Sequence, residues 1–220
     1  MKFESLSRSE TLRYMCHKGE VPAELEKILE KSENLIKLNI FPKYVYRTVS
    51  VKINGNITEF SDFPTVVESF DLAHHLKNCD RAVIMAVTLT SEADRLISRS
   101  EISDMTMAYT LDAMCSSAIE TACDMAEKEI FSEIGAKYTT WRYSAGYGDL
   151  SLSYQKDFIR FLNTEKRIGL TLTPECLMIP RKSVTAVIGI SDTPLENKRR
   201  SCNLCSMHGK CRFSLEGGHC

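Results

Sequence analysis

Residues 104–134 read DMTMAYTLDAMCSSAIETACDMAEKEIFSEI, and this stretch decides the fold. Met105, Ala108, Leu111, Cys115, Ala118, Ile119, Ala122 and Ala126 recur at helical spacing and cover a wide apolar face. The middle of the segment is apolar nearly all round, so it predicts a central packed helix. Upstream, residues 92–99 predict a second helix, and 82–89 (AVIMAVTL) is an apolar run of strand length, the mark of a buried strand. Further back, 71–79 reads as a short amphipathic helix. Residues 44–53 are rich in aromatic and β-branched types and run into Asn54-Gly55, then 56–60, a hairpin signal because Asn-Gly tolerates positive φ. A helix is expected from Val21 to near Asn39, with Pro22 at its first position, and 1–20 form an arm or short helix. Downstream come a loop at 143–150, a helix over 154–163, a strand beginning at 171–173 and a β-branched strand at 183–190. Helices and strands do not alternate strictly. The reading is therefore α+β, an antiparallel or mixed twisted sheet flanked by helices, with a cysteine-rich C-terminal tail.

The whole chain has 220 residues, enough for a sizeable core without staples. Residues 1–197 are expected to form the domain, and 198–220 a basic linker (Lys198, Arg199, Arg200) and tail. The 28 basic residues nearly balance the 29 acidic ones, for a net charge of -1, which argues against nucleic-acid binding by bulk charge. No apolar run approaches the roughly 18 residues of a membrane span. Residues 1–10 lack the apolar core of an export signal, so a cytoplasmic, reducing setting is expected. There the nine cysteines cannot form a complete disulfide framework, being odd in number.

Two constellations carry chemistry. In Trp141-Arg142-Tyr143-Ser144-Ala145-Gly146-Tyr147-Gly148-Asp149, two glycines flank a tyrosine and allow a sharp turn with close backbone approach. Arg142 offers a planar fork for a carboxylate and Tyr147 a π face for a cation. The alternative is a turn whose tyrosine packs on the core and whose arginine pairs with a nearby acid. In the tail, Cys202, Cys205, Cys211 and Cys220 can close a four-thiolate shell around zinc or an iron–sulfur cluster; the alternative is a set of reduced thiols. Cys16, Cys79, Cys115, Cys123 and Cys176 read as small core residues. His74-His75 reads as a surface pair, and Asp94, Arg95 and Arg99 as a solvated helix face.

The arrangement Arg142-x-x-x-Gly146-Tyr147 resembles the signature of the reactivation domain of cobalamin-dependent methionine synthase. Leu172-Thr173 followed by Met178, Pro180 and Ser183-Val184 is similar to a second segment of that family. Ala118-Ile119-Glu120 is similar to its preceding helix, in the same order and approximate spacing. Together with Asp71-Leu72-Ala73, His75-Leu76 and the cysteine tail, the chain also resembles stand-alone bacterial forms of the domain. The resemblance implies that S-adenosylmethionine contacts Arg142, Ala145, Gly146 and Tyr147, with Tyr147 nearest the corrin ring and Glu120 near the sulfonium. It implies cobalamin held by a partner, a corrinoid-binding methionine synthase or related methyltransferase, and an electron donor. No catalytic acid or base is required of the chain itself. The sequence departs from the family after Ser183-Val184, where Ile190-Ser191-Asp192-Thr193-Pro194 replaces a tyrosine pair. Two alternatives follow: a docking factor for a corrinoid protein without a methyl donor, and an electron carrier built on the cysteine tail.

Overall fold

Two strands expected from their sequence, the apolar run and the β-branched one, lie side by side inside a six-stranded sheet. The computed structural model describes residues 1–195. In chain order the elements are α1 (Arg8–Tyr14), α2 (Ala23–Asn39), β1 (Lys43–Asn54), β2 (Ile57–Phe60), β3 (Val67–Glu68), α3 (Phe70–His75), β4 (Arg81–Thr88), α4 (Ser91–Ser103) and α5 (Met105–Ile134). Then follow β5 (Tyr138–Thr139), a 3₁₀ turn (Leu152–Tyr154), α6 (Gln155–Leu162), α7 (Thr164–Ile168), β6 (Thr171–Leu172), β7 (Met178–Ile179) and β8 (Ser183–Ser191). The sheet runs β3-β2-β1-β4-β8-β5, and β6 and β7 form a separate antiparallel pair. The pairings β1–β2, β2–β3 and β5–β8 are antiparallel, so the architecture is α+β.

The chain divides into two compact units. The first comprises Met1–Val45, Ala86–Ile130 and Asn163–Val184. Its core is built by Leu29 and Ile36 of α2, Ile97 of α4 and the α5 face from Leu111 to Ile130, all buried. Burying such side chains contributes about 1.5–3 kcal/mol each. Lys182 closes this unit's surface with an ion pair to Asp112, 2.9 Å, and a hydrogen bond to Ser116 Oγ. The second unit comprises Tyr46–Met85, Phe131–Leu162 and the chain from Thr185 onward. All six strands of the sheet lie in it in whole or in part. Ile84, Met85, Leu72, Leu76, Phe158, Val187 and Ile188 are buried there.

Several expectations shift by small, explicable amounts. Asn54 pairs with Ile57, so the hairpin turn is Gly55-Asn56, one residue later than Asn54-Gly55. Positive φ falls on Gly55 (63°) and not on Asn56, as a II′ turn requires. Pro22 stands just before the first helical residue of α2, where its extended backbone starts the helix. The helix expected over 71–79 stops at His75, and Leu76–Asp80 turn toward β4. Cys79, Cys115 and Cys123 are buried as expected, whereas Cys16 is exposed and Cys176 half-buried. Both of these occupy left-handed turn positions (φ 54° and 67°), outside the helices and strands whose faces make the core. Asp94 is not simply solvated: Arg181 donates its backbone N–H (3.0 Å) and its Nε (3.4 Å) to it. The four tail cysteines Cys202, Cys205, Cys211 and Cys220, and the boundary expected at 197–198, lie outside the described residues.

Candidate functional site: a braced loop at the end of the sheet

The motif loop belongs to the second unit and starts from β5. Tyr138 and Thr139 pair with Ser191 and Ile190 of β8, and the ladder continues with Thr140 N–H donating to Gly189 O at 3.0 Å. It resumes at Tyr143, which exchanges both backbone bonds with Val187 (2.9 and 2.8 Å). Trp141 and Arg142 thus stand together opposite Ile188. One extra residue in this strand makes a β-bulge, the device that redirects a side chain at the rim of a sheet. Arg142 sits at this bulge, half-buried.

Beyond Tyr143 the chain turns back on itself. Gly146 N–H donates to Leu150 O (2.8 Å), Tyr147 N–H to Ser144 O (3.1 Å) and Leu150 N–H to Tyr147 O (3.0 Å). Gly146 (φ 92°) and Gly148 (φ 53°) take conformations that side chains resist. Gly148 is also sterically fixed: a Cβ there would run into the Asp71 carboxylate and come within 2.6 Å of Tyr143 Oη. Ala145 is buried, Gly146 exposed and Tyr147 half-buried. Tyr143 Oη donates to Tyr147 O at 3.2 Å, and the two rings meet edge-on, centroids 6.0 Å apart. The structure therefore places Ala145, Gly146 and Tyr147 in one turn, with Arg142 on the bulge that leads into it. Glu120 is half-buried on α5, in the part of that helix belonging to the first unit.

Two participants escaped the sequence reading. His75 is not half of a surface pair. His74 is exposed, but His75 is buried, and its Nε2 donates to Trp141 O at 2.8 Å. Its ring packs edge-on against Trp141 (4.5 Å) and tilted against Tyr143 (5.0 Å). Asp149, seemingly a turn residue, caps α3: its carboxylate accepts from Ser69 Oγ, from Phe70 N–H (2.7 Å) and from Asp71 N–H (3.2 Å). A carboxylate suits the orphan N–H groups at a helix start.

Among the described residues no group of three or more His, Cys, Asp or Glu could hold a metal ion. No helix among them is long and apolar enough to cross a membrane. Burial pushes the thiol of Cys79 up to about 11 and that of Cys115 up to about 12, which keeps both as inert thiols at neutral pH.

The α+β fold carries an Arg-x-x-x-Gly-Tyr loop beside the outermost strand of its sheet, and comparison with known proteins places it. The sequence profile described as "Vitamin B12 dependent methionine synthase, activation domain" matches residues 84–194, half of the chain and the part that holds the turn. The chain belongs to this family. A solved structure, the MetH reactivation domain bound to AdoHcy, shares the fold with a TM-score of 0.65 at 14% identity, over 87% of this chain and 76% of that one. No curated protein matches the sequence.

Proposed function

We propose that this protein reactivates a cobalamin-dependent methionine synthase by holding S-adenosylmethionine at the loop formed by Arg142, Ala145, Gly146 and Tyr147 while docked on the corrinoid-bearing partner. The observation that carries this reading is the preformed turn itself. Gly146 and Tyr147 spend their N–H groups within the loop, so its shape exists before any ligand arrives. A ligand would meet the loop's carbonyls and side chains. The Arg142 guanidinium suits the donor's carboxylate, and the Tyr147 ring, backed by Tyr143, suits the sulfonium cation. The AdoHcy bound to the MetH reactivation domain is what such a donor leaves after losing its methyl group.

The corrinoid held by the partner, once reduced by a one-electron donor, would supply the methyl-accepting chemistry, while Arg142 and Tyr147 would hold the sulfonium donor. The chain's own residues need only hold the donor in line, since proximity and alignment can supply several kcal/mol of the barrier.

Calorimetric titration of S-adenosylmethionine into the protein, beside Arg142→Ala, tests the reading. Saturable binding that weakens about tenfold or more in the variant, with an unchanged melting temperature, is expected for a lost charged hydrogen bond. A folded protein that takes no donor, alone or with the corrinoid partner present, would leave the docking factor without a methyl donor as the function.

A further inference from the structure

Helix α3 grips the motif loop at both ends. Before the motif, His75 at the helix's C-terminal end donates to the carbonyl of Trp141, the residue preceding Arg142. After the motif, Asp149 caps the helix's N-terminal end through Ser69, Phe70 and Asp71. Asp71 answers by accepting the backbone N–H of Asp149 at 3.1 Å, and its carboxylate fills the space that a side chain on Gly148 would need. The helix is itself seated on the sheet. The turn that follows it packs Leu76 so close to β8 that a Cβ on Gly189 would lie 2.9 Å from Leu76 Cδ2. The loop is thus anchored to β8 by backbone bonds and to α3 by side chains, with Arg142, Gly146 and Tyr147 between the two α3 contacts.

We propose that α3 is a clasp that positions the 142–147 turn for its ligand, with His75 and Asp149 as positioning residues acting through the loop. The proposal rests on the reading that this turn takes S-adenosylmethionine. Neither residue need touch the donor. A clasp of this kind lowers the ordering cost of binding, because it holds the turn in one shape before a ligand arrives.

Trp141 is the chain's sole tryptophan, so its emission reports this contact without ambiguity. Wild type, His75→Gln, His75→Leu and Asp149→Asn are compared by donor titration, Trp141 emission and hydrogen exchange at the Gly146 and Leu150 amides. His75→Leu should weaken the donor about tenfold, shift the emission and expose both amides to exchange. His75→Gln, whose amide can donate to the same carbonyl, should restore affinity and amide protection, while the emission stays shifted because the ring contact with Trp141 is lost. Asp149→Asn, which replaces an accepting oxygen by a donor, should behave like His75→Leu, and it carries the test should that variant not fold. Folded His75→Leu and Asp149→Asn with wild-type emission, exchange and affinity overturn the proposal, as does a shifted emission with unchanged affinity in either. Should wild type take no donor, the functional reading fails by itself. The clasp then stands or falls on emission and exchange, which need no ligand.

Discussion

Helix α5 and the 141–149 loop are held in place by opposite means. Along α5 the buried residues run from Met107 to Ile130 and are mostly small or apolar, so the helix is fixed by non-directional burial. In the loop only Tyr143 and Ala145 are buried. Its shape comes from a bulge, two left-handed glycines and a set of named polar contacts to α3. Burial tolerates small displacements and charges for lost volume; directed contacts fix positions and fail abruptly. Damage in α5 should therefore appear as lost stability, and damage in the loop as lost geometry in a protein that still folds.

The largest effect is expected at Leu111, fully buried on α5. Leu111→Ala should lower unfolding stability by about 2–5 kcal/mol, read as a lower denaturant midpoint with an unchanged slope. Below that point the native Trp141 emission should stay as in wild type; a shifted native emission would mean the two regions are coupled and the contrast breaks. Gly148→Ala comes next. Its positive φ and the crowding by Asp71 and Tyr143 should cost about 1–3 kcal/mol and visibly displace Trp141. A variant with wild-type emission and stability would show that the loop yields cheaply.

Alkaline pH separates the regions more finely. The unfolded thiols titrate near 9.0, while burial raises Cys115 on α5 to about 12 and Cys79 to about 11. Above pH 9 the unfolded state gives up protons that the folded state retains, so stability is full below that pH and falls as pH rises toward 11–12. The slope approaches about 1.4 kcal/mol per pH unit for the fully buried Cys115 and is smaller for the partly solvated Cys79. Cys115→Ala should make denaturant midpoints between pH 9 and 10.5 fall less steeply; parallel slopes in variant and wild type would rule this origin out. The smallest effect belongs to the exposed Glu92–Arg95 pair on α4. Arg95→Ala should change stability by at most about 0.5 kcal/mol, and a larger loss in thermal melts would mean this face is not simply solvated.

What could be read without the structure divides along the same line. The apolar periodicity of 104–134 and the continuous run at 82–89 announce their elements because burial leaves its mark on composition over many residues. The two-residue strands β3, β5 and β7 leave no such mark, and neither does α7, five residues long. At the loop, the glycines and Arg142 were legible from local spacing. The roles of Asp149 and His75 were not, because Asp149 caps a helix start some 80 positions earlier in the chain and His75 reaches a carbonyl 66 positions later. A histidine pair read by its own spacing reveals chelation or its absence, and says nothing of a distant backbone oxygen.

The sheet ends on β3 and β5, each only two residues long. A strand edge is a template on which a second chain can pair, and its hazard grows with the length of unpaired backbone it displays. Here β3 is short, and beyond β5 the edge is broken by the bulge at Trp141-Arg142, so neither side offers a long regular ladder. For the proposed docking on a partner, outermost strands this short leave little backbone on which copies of the chain could pair sheet to sheet.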